Sequence, residues 1–352
     1  MDATTVAVDL AKNVFQLAVA DRNWRIVRTL RLSRAQFERW FDNACVETVI
    51  MEACGSAHHW SRVLQGRGIQ VKLLPASYVR AYVKRNKTDA ADAAALLEAA
   101  RCADIVPVKT KSVEQQCLQG LHRVRSGWMA TRTARINAMR GLCREFGVAV
   151  SPGAQCGLRQ IAEALGGRDL PAALYPVLQA LLAEVRELEQ RVEQVERELA
   201  VVARHSAPCQ NLMSVPGVGL LTATAMVAAT SGSVSHFASA RHFAAWFGLT
   251  PKEYSSGSTR RLGRISKRGD RYLRMLLTHG ARSVLNAARL SQRRGRALDP
   301  LRSWAQGIAQ RSHHNKATCA LANKLARICF GVLRDAEPYV PGRLATPVVL
   351  AA

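Results

Sequence analysis

Four carboxylates in the first hundred residues have the types and spacing of a metal site. Asp9 and Glu52 each follow a short apolar run, and Asp89 and Asp92 are three residues apart in an Ala-rich segment. An i, i+3 spacing places two side chains on one face of a helix. Clustered carboxylates repel one another unless a divalent cation neutralises them, and oxygen ligands select Mg²⁺ or Mn²⁺. Two such ions stabilise both the attacking and the leaving oxygen at a phosphodiester.

Each of these residues also has a simpler interpretation. An Asp after a strand is commonly a turn residue, and Glu52 suits a salt bridge. Asp89 and Asp92 would complement a helix dipole. The residues alone therefore leave structural and catalytic roles open.

A Gly-, Ser- and Arg-rich stretch at residues 250–270 offers a nucleophile and cations. Ser255 or Ser256 is a candidate nucleophile, with nearby cations to stabilise the charge that develops at phosphorus. The alternative is that either serine is an ordinary turn residue. The stretch would also clamp a nucleic-acid backbone. The cations predicted to contact nucleic acid are Arg260, Arg261, Arg264, Lys267 and Arg268.

The segment SVPGVG at residues 214–219 precedes an apolar helical pattern and fits a helix-hairpin-helix. Its glycines let the backbone approach a phosphate, and the helix N-terminus offers unpaired N–H groups. We predict sequence-independent nucleic-acid contact at Pro216, Gly217 and Gly219, against the alternative of an ordinary Pro-Gly turn. His58, His59, His313 and His314 lack a ligand spacing and are interpreted as surface or groove residues.

The segments that would position the carboxylates have the sequence pattern of an α/β domain. Three consecutive strands followed by alternating helix and strand indicate a mixed sheet. The order matches an RNase H-like domain, although periodicity alone does not separate it from other α/β sheets. In that order the first and fourth strands are neighbours, so Asp9 and Glu52 would converge. The predicted strands are 4–8, 14–20, 26–32, 47–51 and 70–74, and the predicted helices are 34–43, 58–65 and 88–100.

The remaining chain reads as mostly helical. A basic helix is predicted at 112–146, followed by a Gly- and Pro-containing connector at 147–171. Apolar residues at 181–202 alternate by four and three, which is a heptad seam. We interpret this seam as a coiled coil joining two protomers, and the alternative is an antiparallel hairpin within one chain. Further helices are predicted at 220–229, 236–249, 271–290 and 301–334, with a loop at 250–270.

Composition restricts the class of partner. The 352 residues include 50 Lys and Arg against 26 Asp and Glu, a net charge of +24. Residues 250–352 alone carry 20 basic and 5 acidic side chains. This excess favours a polyanion, most simply nucleic acid, over acidic small molecules. Nine cysteines without a CxxC pair argue against a disulfide framework or a zinc ribbon, and no apolar run reaches the roughly 18 residues of a membrane helix.

Several blocks of this sequence together resemble a known family. VDLAKNVF, MEACGSAHHW and KRNKTDAADAAAL, then SVPGVGLLTATAMVA and FAAWFGLTPKEYSSGSTRRLGRISKRGDRYLRMLL, are similar to the DEDD transposases of the insertion-sequence one-ten family. These transposases are relatives of the Piv and MooV DNA invertases. The blocks follow the family's order and cover about residues 4–335.

The resemblance implies a fold and a division of the chain. It implies an N-terminal RuvC-like domain of the RNase H fold at 1–111, with basic helices and a coiled coil at 112–207. A mostly α-helical transposase domain with a helix-hairpin-helix would occupy 208–335, and a tail 336–352. The Mg²⁺ or Mn²⁺ ligands would be Asp9, Glu52, Asp89 and Asp92, and the catalytic serine, which precedes the glycine of an SG pair, maps to Ser256.

The resemblance also implies an activity and partners. The protein would be a site-specific recombinase that moves its own element through a phosphoserine intermediate on donor and target DNA. A structured bridge RNA would guide it, and protomers would assemble from dimers into a synaptic tetramer. The expected location is the bacterial cytoplasm, with the nucleoid. The competing interpretations are a RuvC-like junction resolvase that uses water, and a non-catalytic nucleic-acid-binding protein.

Overall fold

The computed structural model of the chain describes residues 4–83, 89–167 and 169–342, with residues 89 and 90 described by their backbone alone. It divides into two compact units, at residues 1–113 and 114–352. Within the described ranges, no helix combines the length and the apolar character needed to cross a membrane. The predicted tail at 336–352 is described only as far as residue 342.

The first unit is built on a five-stranded mixed sheet. Its strands are β1 (Thr5–Leu10), β2 (Val14–Ala20), β3 (Ile26–Ser33), β4 (Thr48–Glu52) and β5 (Gln70–Leu74). Their order in the sheet is β3-β2-β1-β4-β5. The pairs β1–β2 and β2–β3 are antiparallel, and β1–β4 and β4–β5 are parallel. All five predicted strands are therefore present, and β1 and β4 are neighbours.

Helices cover both faces of this sheet because its strands alternate apolar side chains between two cores. One core contains Val8, Phe15 and Met51 and packs against the first two helices. The opposite core contains Ala7, Ala18 and Ile50 and packs against the fourth helix. The helices of this unit are α1 (Arg34–Trp40), α2 (Ala57–Gln65), α3 (Ala76–Val79) and α4 (Asp89–Arg101).

The second unit begins with long helices. They are α5 (Val113–Glu145), α6 (Ala154–Gly166) and α7 (Tyr175–Arg204). The helix α6 lies in the segment that was predicted to be a connector, and this prediction was wrong. Although Gly and Pro flank α6, Ile161 and Ala164 are buried against α5 and α7, because its apolar residues recur at helical spacing.

Most of the heptad seam of α7 is covered by α5 of the same chain, although Val202 at its end is exposed. Val185, Val192, Val195 and Leu199 are all buried, with Val185 in a core shared with α5 and Leu199 in a second one. Three ion pairs join the two helices in antiparallel order: Arg125–Glu196, Arg132–Glu189 and Arg135–Glu184. The structure thus corrects the interpretation of this seam as a contact between protomers and matches the alternative, an intrachain hairpin.

The rest of the second unit is a helical bundle with one small hairpin. Its core includes Phe243, Leu277, Leu321 and Phe330. The predicted loop at 250–270 contains two short antiparallel strands. The elements are α8 (Ala207–Met213), α9 (Leu220–Thr230), α10 (Ala240–Trp246), β6 (Pro251–Glu253), β7 (Leu262–Ile265), α11 (Arg271–Arg293), α12 (Pro300–Arg311) and α13 (His314–Asp335).

His58 does not lie at the predicted surface or groove position. His58 is buried, where a surface or groove position was predicted, and its Nδ1 accepts a hydrogen bond from the Lys111 backbone N–H at 3.2 Å. Burial, together with the nearby Lys111 and Arg62 charges, lowers the pKa of His58 to about 4. His59 is exposed. His58 therefore helps to pack α2 against the segment that contains Lys111.

Candidate active site

The strand register places Asp9 and Glu52 side by side. The last registered pair of β1 and β4 is Val8 with Met51, and Asp9 and Glu52 are the next residues on the two parallel strands. Adjacent strands lie about 4.8 Å apart. Because side chains alternate along a strand, Asp9 shares a face with Ala7, and Glu52 shares it with Ile50. Both carboxylates are half-buried.

Small side chains bring α4 close to that face. Ala7, Ala18 and Ala20 of the sheet are buried beneath Ala93 and Leu96 of the helix. Alanines at a helix–sheet contact let the two backbones approach closely. Asp92, which is half-buried, immediately precedes Ala93 and is four residues before Leu96, so its position borders the buried stripe of the helix. Asp9 and Glu52 of the sheet and Asp92 of α4 thus lie on elements that meet at one face of the sheet.

The complete tetrad is not assembled in the part of the chain that the structure describes. Asp89 is the first residue of α4, and its side chain lies outside the described residues. Among the side chains that are described, no three Asp, Glu, His or Cys residues form a group able to hold a metal ion. The Asp9–Glu52 pair is the portion of the predicted site that the strand register supports.

The register adds two residues that sequence reasoning missed. Asp9 pairs with Gln16 on β2, and Gln16 pairs with Arg31 on β3. These residues share a face with Asp9, since cross-strand partners point to the same side of a sheet. Counting alternate residues outward from the β1–β2 turn would have indicated Gln16. Arg31 could be identified only from the β2–β3 register, which local sequence patterns do not specify.

The two candidate serines differ in what their hydroxyls do. Ser255 Oγ donates a short hydrogen bond to the Glu253 carboxylate and accepts one from the Arg261 backbone N–H at 3.0 Å. Ser256 forms the tip of the hairpin, where its backbone exchanges hydrogen bonds with Thr259 at 3.1 and 3.2 Å. No described residue hydrogen-bonds the exposed Ser256 hydroxyl. Ser255 therefore stabilises the hairpin, whereas the Ser256 side chain is exposed to solvent.

Five cations lie on the second arm of this hairpin and directly after it. All five predicted nucleic-acid contacts are exposed to solvent. Arg260 lies 3.7 Å from the Glu253 carboxylate, an exposed ion pair that contributes little to stability. The five residues are Arg260 and Arg261 beyond the tip, Arg264 on β7, and Lys267 and Arg268 after it.

The SVPGVG turn connects α8 to α9 and is packed against α11. Gly217 has φ +85°, and a Cβ at Gly280 of α11 would lie only 2.0 Å from the Gly217 carbonyl oxygen. Glycine at these two positions is therefore explained by a backbone-to-backbone contact. Gly219 is exposed and is the N-cap residue of α9, and Pro216 is half-buried.

A buried polar network joins α5, α9 and α11. His122 Nδ1 lies 3.1 Å from the Tyr272 hydroxyl, and its Nε2 lies 3.0 Å from Thr224 Oγ1. Thr224 donates its own proton to the Leu220 carbonyl at 2.7 Å. Nε2 must therefore donate to Thr224, while Nδ1 accepts from Tyr272. Burial first, and the Arg125 charge second, lowers the pKa of His122 to about 4. The neutral His122 side chain therefore links α9, which follows the SVPGVG turn, to α11, which follows the β6–β7 hairpin.

Two family models match this chain. One, for IS110-type DEDD transposases and described as "Transposase", matches residues 6–147. The other, described as "Transposase IS116/IS110/IS902 family", matches residues 209–296. The first range includes the four carboxylates, and the second includes the SVPGVG turn and the β6–β7 hairpin.

Similar proteins cover nearly the whole chain. A probable family 20 transposase of Pseudomonas aeruginosa is 41% identical over 97% of this chain and 100% of its own length. The transposase for insertion sequence element IS1111A of Coxiella burnetii is 38% identical, over 96% and 92%. The transposase for IS1328 of Yersinia enterocolitica is 34% identical, over 94% and 97%. Matches of this extent show that the chain belongs to the IS110 family of insertion-sequence transposases.

Proposed function

We propose that this transposase is a site-specific DNA recombinase that cuts and exchanges strands through a covalent serine–DNA intermediate. The observation that carries the proposal is the pairing of Asp9 and Glu52 on the face that α4 covers. The solvent-exposed Ser256 hydroxyl supports the assignment of a serine as the nucleophile. The strand order, with β1 between β2 and β4, supports an RNase H-like, RuvC-type domain.

The carboxylates would hold the metal. Asp9, Glu52 and Asp92, joined by Asp89, offer oxygen donors alone, which is the ligand chemistry of Mg²⁺ and Mn²⁺. A bound ion of this kind supplies charge stabilisation to the attacking and leaving oxygens of a phosphodiester. The half-buried positions of Asp9 and Glu52 limit the water around them, which strengthens their interaction with a cation.

Ser256 would be the nucleophile. Its Oγ attacks the scissile phosphorus, a serine–phosphate bond forms, and the bond to the 3′ oxygen breaks. The serine proton ends on that oxygen, which leaves as a free 3′-hydroxyl. The 3′-hydroxyl of a partner strand then attacks the serine–phosphate bond and regenerates the serine hydroxyl. One phosphodiester is exchanged for another, so the reaction needs no nucleotide hydrolysis.

The cations beside Ser256 would hold the DNA during this exchange. Arg260, Arg261, Arg264, Lys267 and Arg268 follow the nucleophile along the chain and are exposed. Arginine donates two parallel hydrogen bonds to a phosphate. The partners we propose are donor and target DNA, a structured guide RNA, and further copies of this chain that assemble from dimers into a synaptic tetramer. The SVPGVG turn would add sequence-independent contacts through Pro216, Gly217 and Gly219.

The serine assignment is tested by trapping the intermediate. The substrate is a duplex spanning the junction of the circularised element (the junction duplex), with Mg²⁺ and RNA transcribed from the element's non-coding end. Ser256→Ala should abolish the protein–DNA adduct on denaturing gels while leaving DNA binding intact. Ser255→Ala is the matched control and should retain the adduct. An adduct that survives Ser256→Ala would exclude this serine as the nucleophile.

The carboxylate assignment is tested by removing a ligand. Asp9→Asn should abolish Mg²⁺-dependent cleavage, because the amide no longer supplies a negative oxygen. Asp104→Asn, at an exposed position of the same unit, is the control and should cleave like the wild type. Cleavage by the wild type that leaves free 5′-phosphates and no adduct would instead favour a junction resolvase. Full recombination by Asp9→Asn would favour a non-catalytic binding protein.

A further inference from the structure

One row of side chains crosses the sheet directly beyond the residues buried under α4. The buried row contains Ala7, Ala18 and Ile50, all fully covered. A second row lies two residues further along each strand, and its side chains are polar or charged. Its members on adjacent strands are Glu52, Asp9, Gln16 and Arg31, in that order. The apolar core of this face therefore ends where a line of functional groups begins.

Arg31 occupies the outer end of this row on an edge strand. Its side chain is exposed, and no residue in the described ranges makes a hydrogen bond or an ion pair with it. Gln16, between Arg31 and Asp9, is half-buried and also has no hydrogen bond from its side chain to a described residue. The guanidinium of Arg31, two strands away from Asp9 on the same face of the sheet, therefore has its hydrogen-bond donors available for a ligand.

We infer that Arg31 is a phosphate-binding residue of the carboxylate site and holds the DNA strand that is being cut. The inference rests on the proposed function, because the carboxylates define where the scissile phosphate lies. Two strand spacings, roughly 10 Å, separate the backbones at Asp9 and Arg31. Arg31 is therefore placed for a phosphate beside the scissile one. Gln16 lies between them and offers an amide donor to the same strand.

The position also explains why an arginine suits this site. A DNA strand that follows the row runs from two anionic residues toward a cation. Any carboxylate charge that the bound ion leaves uncompensated would repel the phosphates on either side of the scissile one. Arginine at the far end reverses the sign of the potential and forms a bidentate contact with a phosphate.

Edge strands also carry cations for another reason, which is to prevent strand-to-strand aggregation. Arg28 provides the comparison, because it lies on the same strand and is also exposed. Arg28 pairs with Val19, whose side chain belongs to the opposite core, so it points to the other face of the sheet. A role in solubility predicts the same behaviour for both arginines, whereas a role at the carboxylate site predicts an effect of Arg31 alone.

The test compares Arg31→Gln with Arg28→Gln in the full chain, using the junction duplex. Arg31→Gln should weaken the apparent affinity for DNA about tenfold, the loss expected for one charged hydrogen-bonded contact. It should also reduce the slope of log affinity against log salt by about one. Arg28→Gln should stay within about twofold of the wild type, since surface changes of this kind have small effects. Equal effects of the two substitutions would overturn the inference.

A second measurement identifies the phosphate. A neutral methylphosphonate replaces, one at a time, the phosphates beside the scissile one. At the position that Arg31 contacts, this replacement should weaken the wild type but not weaken Arg31→Gln any further. Additive losses at every position would refute the contact, and a loss that appears only when RNA phosphates are neutralised would assign Arg31 to RNA instead.

Asp9→Asn separates this inference from the function on which it rests. Unchanged cleavage by Asp9→Asn contradicts the proposed function itself. Loss of cleavage by Asp9→Asn, together with identical behaviour of Arg31→Gln and Arg28→Gln, contradicts only the role of Arg31.

Discussion

The contact between Gly217 and Gly280 gives a stability prediction of defined sign. Alanine at an exposed helix position is more favourable than glycine by about 1 kcal/mol. At Gly280, however, the added Cβ would lie 2.0 Å from the Gly217 carbonyl oxygen, where ordinary contacts begin near 3.4 Å. The turn or the helix must move by more than 1 Å, and overpacking of this kind costs about 1–3 kcal/mol or more. We expect Gly280→Ala to be less stable than the wild type by about 2 kcal/mol.

Gly307→Ala is the matched control. Gly307 lies in α12 of the same unit, is exposed, and has no atom within 4 Å of its added Cβ. This substitution should stabilise the protein by up to about 1 kcal/mol. The two variants should therefore differ by about 3 kcal/mol in the free energy of unfolding, measured by urea denaturation and circular dichroism. If Gly280→Ala proved as stable as Gly307→Ala, the close approach of the SVPGVG turn to α11 would be refuted.

Two further predictions concern the helices around this turn. His122 has a folded-state pKa of about 4, below its unfolded value of about 6.5, so its contribution is fully present above pH 6.5 and is lost as the pH falls toward 4. The wild type should lose about 2–3 kcal/mol more stability than His122→Gln between pH 7.5 and 4.5, and parallel urea-unfolding curves for the two proteins would contradict this. Arg125 and Glu196, 2.6 Å apart, should show a coupling of about 1 kcal/mol in a double-mutant cycle, and strictly additive losses would argue against the α5–α7 hairpin.

Local patterns predicted most of the first unit. The five strands and the helices that follow them were found because apolar residues alternate along strands and recur at helical spacing. The segment at 147–171 and the loop at 250–270 were misread, because Gly and Pro indicate turns but do not exclude short elements between them. Burial against α5 and α7 decided the helical structure of α6. The β6–β7 hairpin is exposed, and cross-strand pairing formed its two short strands.

The candidate site was predictable to the extent that its chemistry is local. Asp9 and Glu52 at strand ends, with Asp92 near the start of a helix, could be selected from residue type and position. Ser255 and Ser256 could not be distinguished in this way. Only the hairpin geometry shows that Ser255 is held by Glu253 and the Arg261 N–H, whereas Ser256 is not held by any described side chain.

The sequence by itself determined the elements and the kinds of chemistry that they carry, because periodicity and residue type act over a few neighbouring positions. The tertiary structure alone decided which partner covers each face. An apolar seam such as that of α7 packs equally well against another chain or against α5, and the arginines of α5 opposite its glutamates select the second arrangement. The row from Glu52 to Arg31 likewise depends on the register of four strands, where a shift by one residue would turn every side chain to the opposite face.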